Sequence, residues 1–200
     1  MARPRRHDPD RRERIVDAAL RVVGRDGIAG LSHRTAAAEA DVPLGSTTYH
    51  FGSLDELLVA ALRRTNGVFG RTLRESPELA DPDLDLATAL ARVMGRWLGE
   101  DRAELELAYE LYLAALRRPA LRPVAEEWAG EVRTALAGRT DPATAGALVA
   151  MTDGLCLMYL LGGRPYQEEH ARTMLARVLG EGSENPAVPL AEAPTEPTGT

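Results

Sequence analysis

Apolar residues recur at three- and four-residue spacing along most of the chain, and this period, punctuated by Gly and Pro, predicts a series of helices. Ile15, Ala18, Ala19, Val22 and Val23 make one apolar stripe, with Arg11, Arg12, Arg14, Arg21 and Arg25 on the opposite side. Asp8-Pro9 suits the start of that helix as N-cap and first helical residue, and Gly27 suits its stop. A fourth helix opens at Ser53-Leu54-Asp55-Glu56, a capping-box pattern, and carries Leu57, Leu58, Ala61, Leu62, Thr65, Val68 and Phe69. A proline-punctuated linker at 75–82 follows. Further helical patterns lie at about 86–99, 102–117, 119–136, 142–161 and 167–179. No strand pattern or internal repeat stands out, so the predicted class is all-α with about nine helices. Residues 143–161 are nearly continuous in apolar character. Asp153 at their centre would cost roughly 2.5–3.5 kcal/mol in a bilayer, so the expectation is a buried helix and not a membrane span.

Residues 31–51, LSHRTAAAEADVPLGSTTYHF, depart from this plan. They read as two short helices joined by a turn at Asp41-Val42-Pro43, with Ser32 as N-cap of the first. Ala36, Ala37 and Ala40 give a small-residue face for close approach. The second helix is too short to stand alone and must be held by its neighbours. It shows Ser46, Thr47, Thr48, Tyr49 and His50 where a core helix would carry Leu and Ile. A short helix presenting hydroxyls, a phenol and an imidazole suits a helix-turn-helix whose second helix enters a DNA major groove.

Charge changes the picture in the same direction. The net charge of −6 argues against nucleic acid as a whole, but residues 1–75 hold 13 Arg against 10 acidic residues, a balance of +3. Residues 76–200 hold 11 Arg against 20 acidic residues, a balance of −9. That asymmetry fits a basic head facing phosphate and an acidic body facing away from it. Cys156 is the only cysteine, which excludes an intramolecular disulfide and a cysteine-based zinc site. His7, His33, His50 and His170 show no metal-ligand spacing, so no metal and no cofactor are expected. The N-terminus lacks the apolar stretch of a signal peptide, and the expected location is the cytoplasm.

RIVDAALRVVGRDG from residue 14, then SHRTAAAEADV, the G-S-x-x-Y-H-F run from Gly45 to Phe51 and the S-x-x-E-L run from Ser53 to Leu57 together resemble the tetracycline-repressor (TetR) family of bacterial transcription regulators. The resemblance implies a homodimer bound to a palindromic double-stranded DNA operator, most often as a repressor, released by a small-molecule effector. Carried over by position, it implies that Arg34 approaches a base edge and that Ser32, Thr35, Thr48 and His50 touch phosphates. Leu44, Gly45, Ser46 and Tyr49 would face the groove. Arg is the donor fork that fits guanine, and hydroxyls suit phosphate oxygens. Four positions depart from the family: Thr48 stands at a usual Tyr, Leu54 at a usual Lys, Leu44 at a frequent Lys and Pro43 at a usual N-cap hydroxyl. More of the DNA contact then falls on Arg34, Tyr49, His50 and the arginine-rich arm.

The expected organisation is a basic arm at 1–8, a DNA-binding head at 9–52, a connecting helix at 53–74, a ligand-binding and dimerisation body at 75–180 and a disordered tail at 181–200. The eighth and ninth predicted helices would form the dimer interface. Met94, Trp97, Tyr109, Tyr112, Trp128, Met151 and Met158 are candidates to line an apolar effector pocket. Asp153 and Glu110, in mostly apolar helical surroundings, are weighed as paired, interfacial or ligand-recognising. No catalytic constellation is apparent, so no enzyme is expected. A helical enzyme with a DNA-like head, a ligand-blind regulator and an activator stay open as alternatives.

Overall fold

The computed structural model describes residues 10–180. The predicted arm at 1–8, the Asp8-Pro9 helix start and the tail at 181–200 lie outside the described residues. The described chain is all-α. Its helices are α1 (Arg11–Gly30), α2 (His33–Glu39), α3 (Leu44–His50), α4 (Leu54–Arg74), α5 (Pro77–Ala80), α6 (Leu86–Gly99), α7 (Arg102–Ala114), α8 (Arg122–Leu136), α9 (Pro142–Gly162) and α10 (Glu168–Val178), with a 3₁₀ turn at Pro119–Leu121 before α8. No strand occurs among the described residues.

Two of these elements differ from the sequence reading. The linker at 75–82 contains the short α5, because Ser76 caps it by accepting from the Leu79 N–H and Pro77 occupies its first position. Arg139 then stitches the following loop by donating to the carbonyls of Leu79, Asp81 and Leu84. The helix expected from 119 begins instead with the 3₁₀ turn.

Local chemistry explains most boundaries. Ser32 Oγ accepts from the Thr35 N–H at 3.1 Å while Thr35 Oγ1 accepts from the Ser32 N–H at 2.8 Å, a reciprocal cap on α2. Ser53 Oγ caps α4 by accepting from the Glu56 N–H, but the Glu56 carboxylate reaches one residue further back than a capping box requires, to the Gly52 N–H. Asp141 caps α9 through the N–H groups of Ala143 and Thr144. Gly27 has φ +71° and interrupts α1, so the expected stop is a kink followed by one more turn.

Packing divides into two apolar clusters. The first joins Ile15, Val16, Ala18, Ala19, Val22 and Val23 of α1 to Ala36, Ala40 and Phe51, and to Leu57, Leu58, Ala61 and Leu62 of α4. Leu111 and Ala115 at the end of α7, with Leu121 and Val124, belong to this cluster as well. The second is the body core, in which Phe69 and Leu73 of α4 meet Leu90, Val93, Met94 and Trp97 of α6, Leu105 of α7, Leu136 of α8, and the inner faces of α9 and α10. Helices α4 and α7 therefore contribute to both clusters.

The expectation for residues 143–161 is corrected. They form α9, but only 28% of its most apolar window is buried within the chain. One side packs on α6, α8 and α10, whereas Met158 (65% exposed) and Leu161 (84%) face outward. Length and hydropathy alone would let α9 cross a membrane; its inner side is instead core of a helical body.

Candidate nucleic-acid interface and effector cavity

Helices α2 and α3 pack on each other and on α1, with the turn between them centred on Asp41, which adopts φ +51°. Pro43 stands at the N-cap of α3 and supplies no side-chain cap. Between the two helices lies Thr47, which is buried and unlike its hydroxyl neighbours does not face outward. Its Oγ1 donates within reach of the Leu44 carbonyl (2.7 Å) and the His33 carbonyl of α2 (3.3 Å). Glu39 ties α2 to α1 by accepting from Arg21 Nε (2.8 Å) and Arg25 Nη1 (3.1 Å). Those two hydrogen bonds hold its carboxyl below the usual carboxylate range.

The remaining residues of this unit are open. Arg34, Leu44, Gly45, Thr48 and Tyr49 are exposed, and Ser32, Ser46 and His50 are half-buried. Tyr49 is 84% exposed and meets His50 edge to face, with ring centres 5.2 Å apart. Ser32 and Thr35 are engaged in the α2 cap, and Thr35 Oγ1 also lies 3.0 Å from the Gly30 carbonyl. Their hydroxyls already have protein partners, so any phosphate contact from them shares atoms with that cap. Leu44 is half exposed, a large apolar side chain left partly uncovered by the rest of the described residues.

A second site lies in the body. A cavity of about 30 Å³ is lined by Asn66 and Phe69 of α4, Trp97 of α6, Leu105, Ala108, Tyr109 and Tyr112 of α7, Trp128 of α8 and Asp153 of α9. Trp97, Trp128 and Asp153 also line a neighbouring cavity of about 20 Å³ among α4, α6, α8 and α9. These three side chains are common to both small cavities. Tyr109 Oη donates to Asp153 Oδ1 at 2.9 Å. Burial pushes the Asp153 carboxyl up, against the opposing pull of that hydrogen bond. Burial also raises the Tyr109 phenol, with further contributions from Cys156 and Asp153, and lifts the Cys156 thiol to about 12. Trp97 Nε1 is buried without a hydrogen-bond partner, and its ring meets Phe69 edge to face at 5.6 Å. The site thus holds an acid, an unused indole donor and four further aromatic rings.

Of the pocket residues expected from sequence, Trp97, Tyr109, Tyr112 and Trp128 come together at this cavity. The three methionines do not. Met94 is fully buried within the body core, Met151 packs against that core, and Met158 points outward from α9. Asn66, Phe69, Leu105 and Ala108 are cavity residues that the sequence reading missed. Glu110 lies elsewhere: its Oε1 accepts from the Ile28 N–H at 2.7 Å, on the head side of α7. Among the described residues no group of His, Cys, Asp and Glu is placed to hold a metal ion.

Residues 81–181 match the family model "Tetracyclin repressor-like, C-terminal domain". The nicotine-responsive transcriptional repressor HdnoR of Paenarthrobacter nicotinovorans is 30% identical over 165 residues, covering 75% of this chain and 84% of HdnoR. Among solved structures, the multidrug binding protein EbrR complexed with ethidium is 66% identical, with a TM-score of 0.81, covering 86% of this chain and 99% of that one. A TetR-family member from Streptomyces coelicolor is also 66% identical, with a TM-score of 0.78 over 85% of this chain and 98% of the other. The chain belongs to the TetR family. It is a ligand-responsive, DNA-binding transcription regulator; regulators of this kind bind operator DNA and small molecules, typically as dimers, and are generally not enzymes.

Proposed function

We propose that this chain is a cytoplasmic, homodimeric repressor whose hold on a palindromic operator is released by a planar aromatic cation. The observation that carries this reading is the Asp153 carboxyl, oriented by Tyr109 and set among Phe69, Trp97, Tyr112 and Trp128. A carboxylate in such surroundings is costly alone, and a cation that also stacks on aromatic faces offsets that cost. EbrR has been crystallised with ethidium, proflavin and malachite green, three aromatic cations, which supports the same ligand class here.

In this reading residues 9–52 read DNA, the helix at 53–74 connects, and 75–180 bind ligand and dimerise. Arg34 reads a base edge, Leu44, Gly45, Ser46 and Tyr49 face the groove, and Ser32, Thr35, Thr48 and His50 approach phosphates. The open side of α9, together with α10, packs on a second copy as a four-helix interface; the exposed Met158 and Leu161 support that assignment. The twofold places two α3 helices about 34–36 Å apart, one turn of DNA.

Ligand pockets usually measure roughly 300–1,000 Å³, so cavities of about 30 and 20 Å³ correspond to a closed state. A three-ring cation enters only if Trp97, Tyr109 and Trp128 part, which shifts α6, α7 and α8 away from one another. The ligand then weakens DNA binding by its preference for the widened state. Ethidium fluorescence titration, followed by competition with an operator selected from random DNA, tests this. Asp153→Asn is expected to cost about 2–5 kcal/mol of ethidium affinity, as for loss of one partner of a buried charge pair. Equal ethidium affinity in wild type and Asp153→Asn would sink the assignment of the site.

A further inference from the structure

Tyr109 and Glu110 are adjacent on α7 and serve opposite sides of it. Tyr109 lines the cavity and bonds Asp153. Glu110 reaches the kink of α1, where Gly27 has broken the helical ladder and left the Ile28 N–H for a side chain to satisfy. The φ of +71° is strained for any residue but glycine, so Gly27 admits the kink, and a Cβ there would come into contact with Glu110 Oε1 at 3.4 Å. The held peptide continues directly into the reading unit. The Gly30 carbonyl accepts from Thr35 Oγ1, and Ser32 caps α2. The same division runs along the helix: Leu105 belongs to the body core, whereas Leu111 and Ala115 belong to the head cluster. An open cleft of about 570 Å³ between α1, α4 and α7, lined in part by Gly24, Val68, Leu107 and Glu110, leaves this contact accessible to water.

We propose that Glu110 is the positioning residue that reports cavity occupancy to the DNA-reading head, by holding the Ile28 peptide when α7 is in its closed position and releasing it when α7 shifts. The proposal rests on the cavity reading above. Ligand entry displaces Tyr109 and with it the backbone of α7. Glu110 moves in register because it is the next residue on a rigid helix. The last turn of α1 then loses its anchor, and the α2 cap that starts at Ser32 changes its angle to the groove. Helix α4 remains a second connection, through the Arg118–Asp55 pair at 2.6 Å and through Asn66, which lines the cavity and donates to the Val124 carbonyl. The α7 route is distinguished by ending on a backbone N–H only four residues before Ser32.

The test compares wild type, Glu110→Ala and Glu110→Gln. Ethidium affinity is measured by fluorescence, and operator affinity is measured with and without saturating ethidium. The Ala variant is expected to bind ethidium at least as tightly as wild type, because Glu110 does not line that cavity and its loss removes a contact that opening breaks. Its ratio of operator affinities without and with ethidium should fall by about tenfold, within the usual range of coupling between sites. The Gln variant keeps an acceptor oxygen for Ile28 and should restore most of the ratio. An unchanged ratio in Glu110→Ala, or a Gln variant as uncoupled as the Ala variant, overturns the proposal. If ethidium fails to bind wild type, the ligand reading falls by itself, and a cycle without ligand decides about Glu110. Ala108→Phe overfills the cavity from within, and its effect on operator affinity is compared in the wild-type and Glu110→Ala backgrounds. A smaller effect in the second background supports the proposal; equal effects overturn it.

Discussion

The two apolar clusters of this chain are built to opposite standards. The head is packed with small side chains: Ala18, Ala19, Ala36, Ala40 and Ala61 let α1, α2 and α4 approach closely, with Ile15, Val22 and Leu58 filling between them. Several of its polar groups are paired locally, as in the Ser32–Thr35 cap and the Arg21–Glu39–Arg25 cluster, although His33 Nδ1 is buried without a partner. The body around Asp153 is built from large rings that leave two voids and an indole N–H with no partner. A reading head gains from having one shape, since phosphate and base contacts need fixed register. A ligand site gains from slack, since loosely packed rings part at lower cost than interdigitated alanines and valines. The contrast places stiffness at one end of α7 and compliance at the other.

The largest effect expected from this contrast is on stability. Leu58→Ala, fully buried in the head, should cost about 2–5 kcal/mol in chemical denaturation. Leu105→Ala, already beside a void, should fall at the low end of that range, and equal losses at the two sites would break the contrast. Next in size, Arg34→Ala should cost about 1–3 kcal/mol of operator affinity and relax preference at one base position without moving the melting temperature. An unchanged operator affinity in a shift assay would remove Arg34 from the reading surface.

The smallest effect separates the two regions by pH. Glu39 in the head titrates below its ordinary value, because Arg21 and Arg25 favour its charge. Its contribution is therefore present above the unfolded pKa and is lost only as pH falls through the lower folded value. Asp153 titrates above its ordinary value, because burial disfavours its charge. Affinity for a cation should accordingly fall as pH drops through that raised value, while the head is still intact. Ethidium release on mild acidification, with helical circular dichroism and operator binding retained, is the expected result; loss of all three together would show that the regions do not titrate separately.

Much of this architecture is legible in the sequence, because each helix needs only its own period and its own caps. The starts at Ser32 and Ser53 follow from local chemistry, whereas Gly27, read as the stop of the first helix, proves to be a kink within it. The cavity was legible only in part. Trp97, Tyr109, Tyr112 and Trp128 announce themselves by size, whereas Asn66 and Ala108 become cavity residues only because four helices cross there. Met158 misleads for the same reason, since periodicity gives a face but not what covers it. Glu110 could not be placed from its own helix, because its partner lies 82 residues away and is a backbone N–H. The openness of α9 likewise depends on which elements the rest of the chain sends to cover it.

Thr47 carries a further consequence. Fully buried, its hydroxyl lies 2.7 Å from the Leu44 carbonyl of its own helix and 3.3 Å from the His33 carbonyl of α2, so it contributes to the seat of α3 from the inside. The outward positions Leu44, Thr48 and Tyr49 contribute little to that seat. On the proposed DNA-reading role of α3, operator preference would be re-engineered by exchanging those three exposed side chains together while Thr47 is kept.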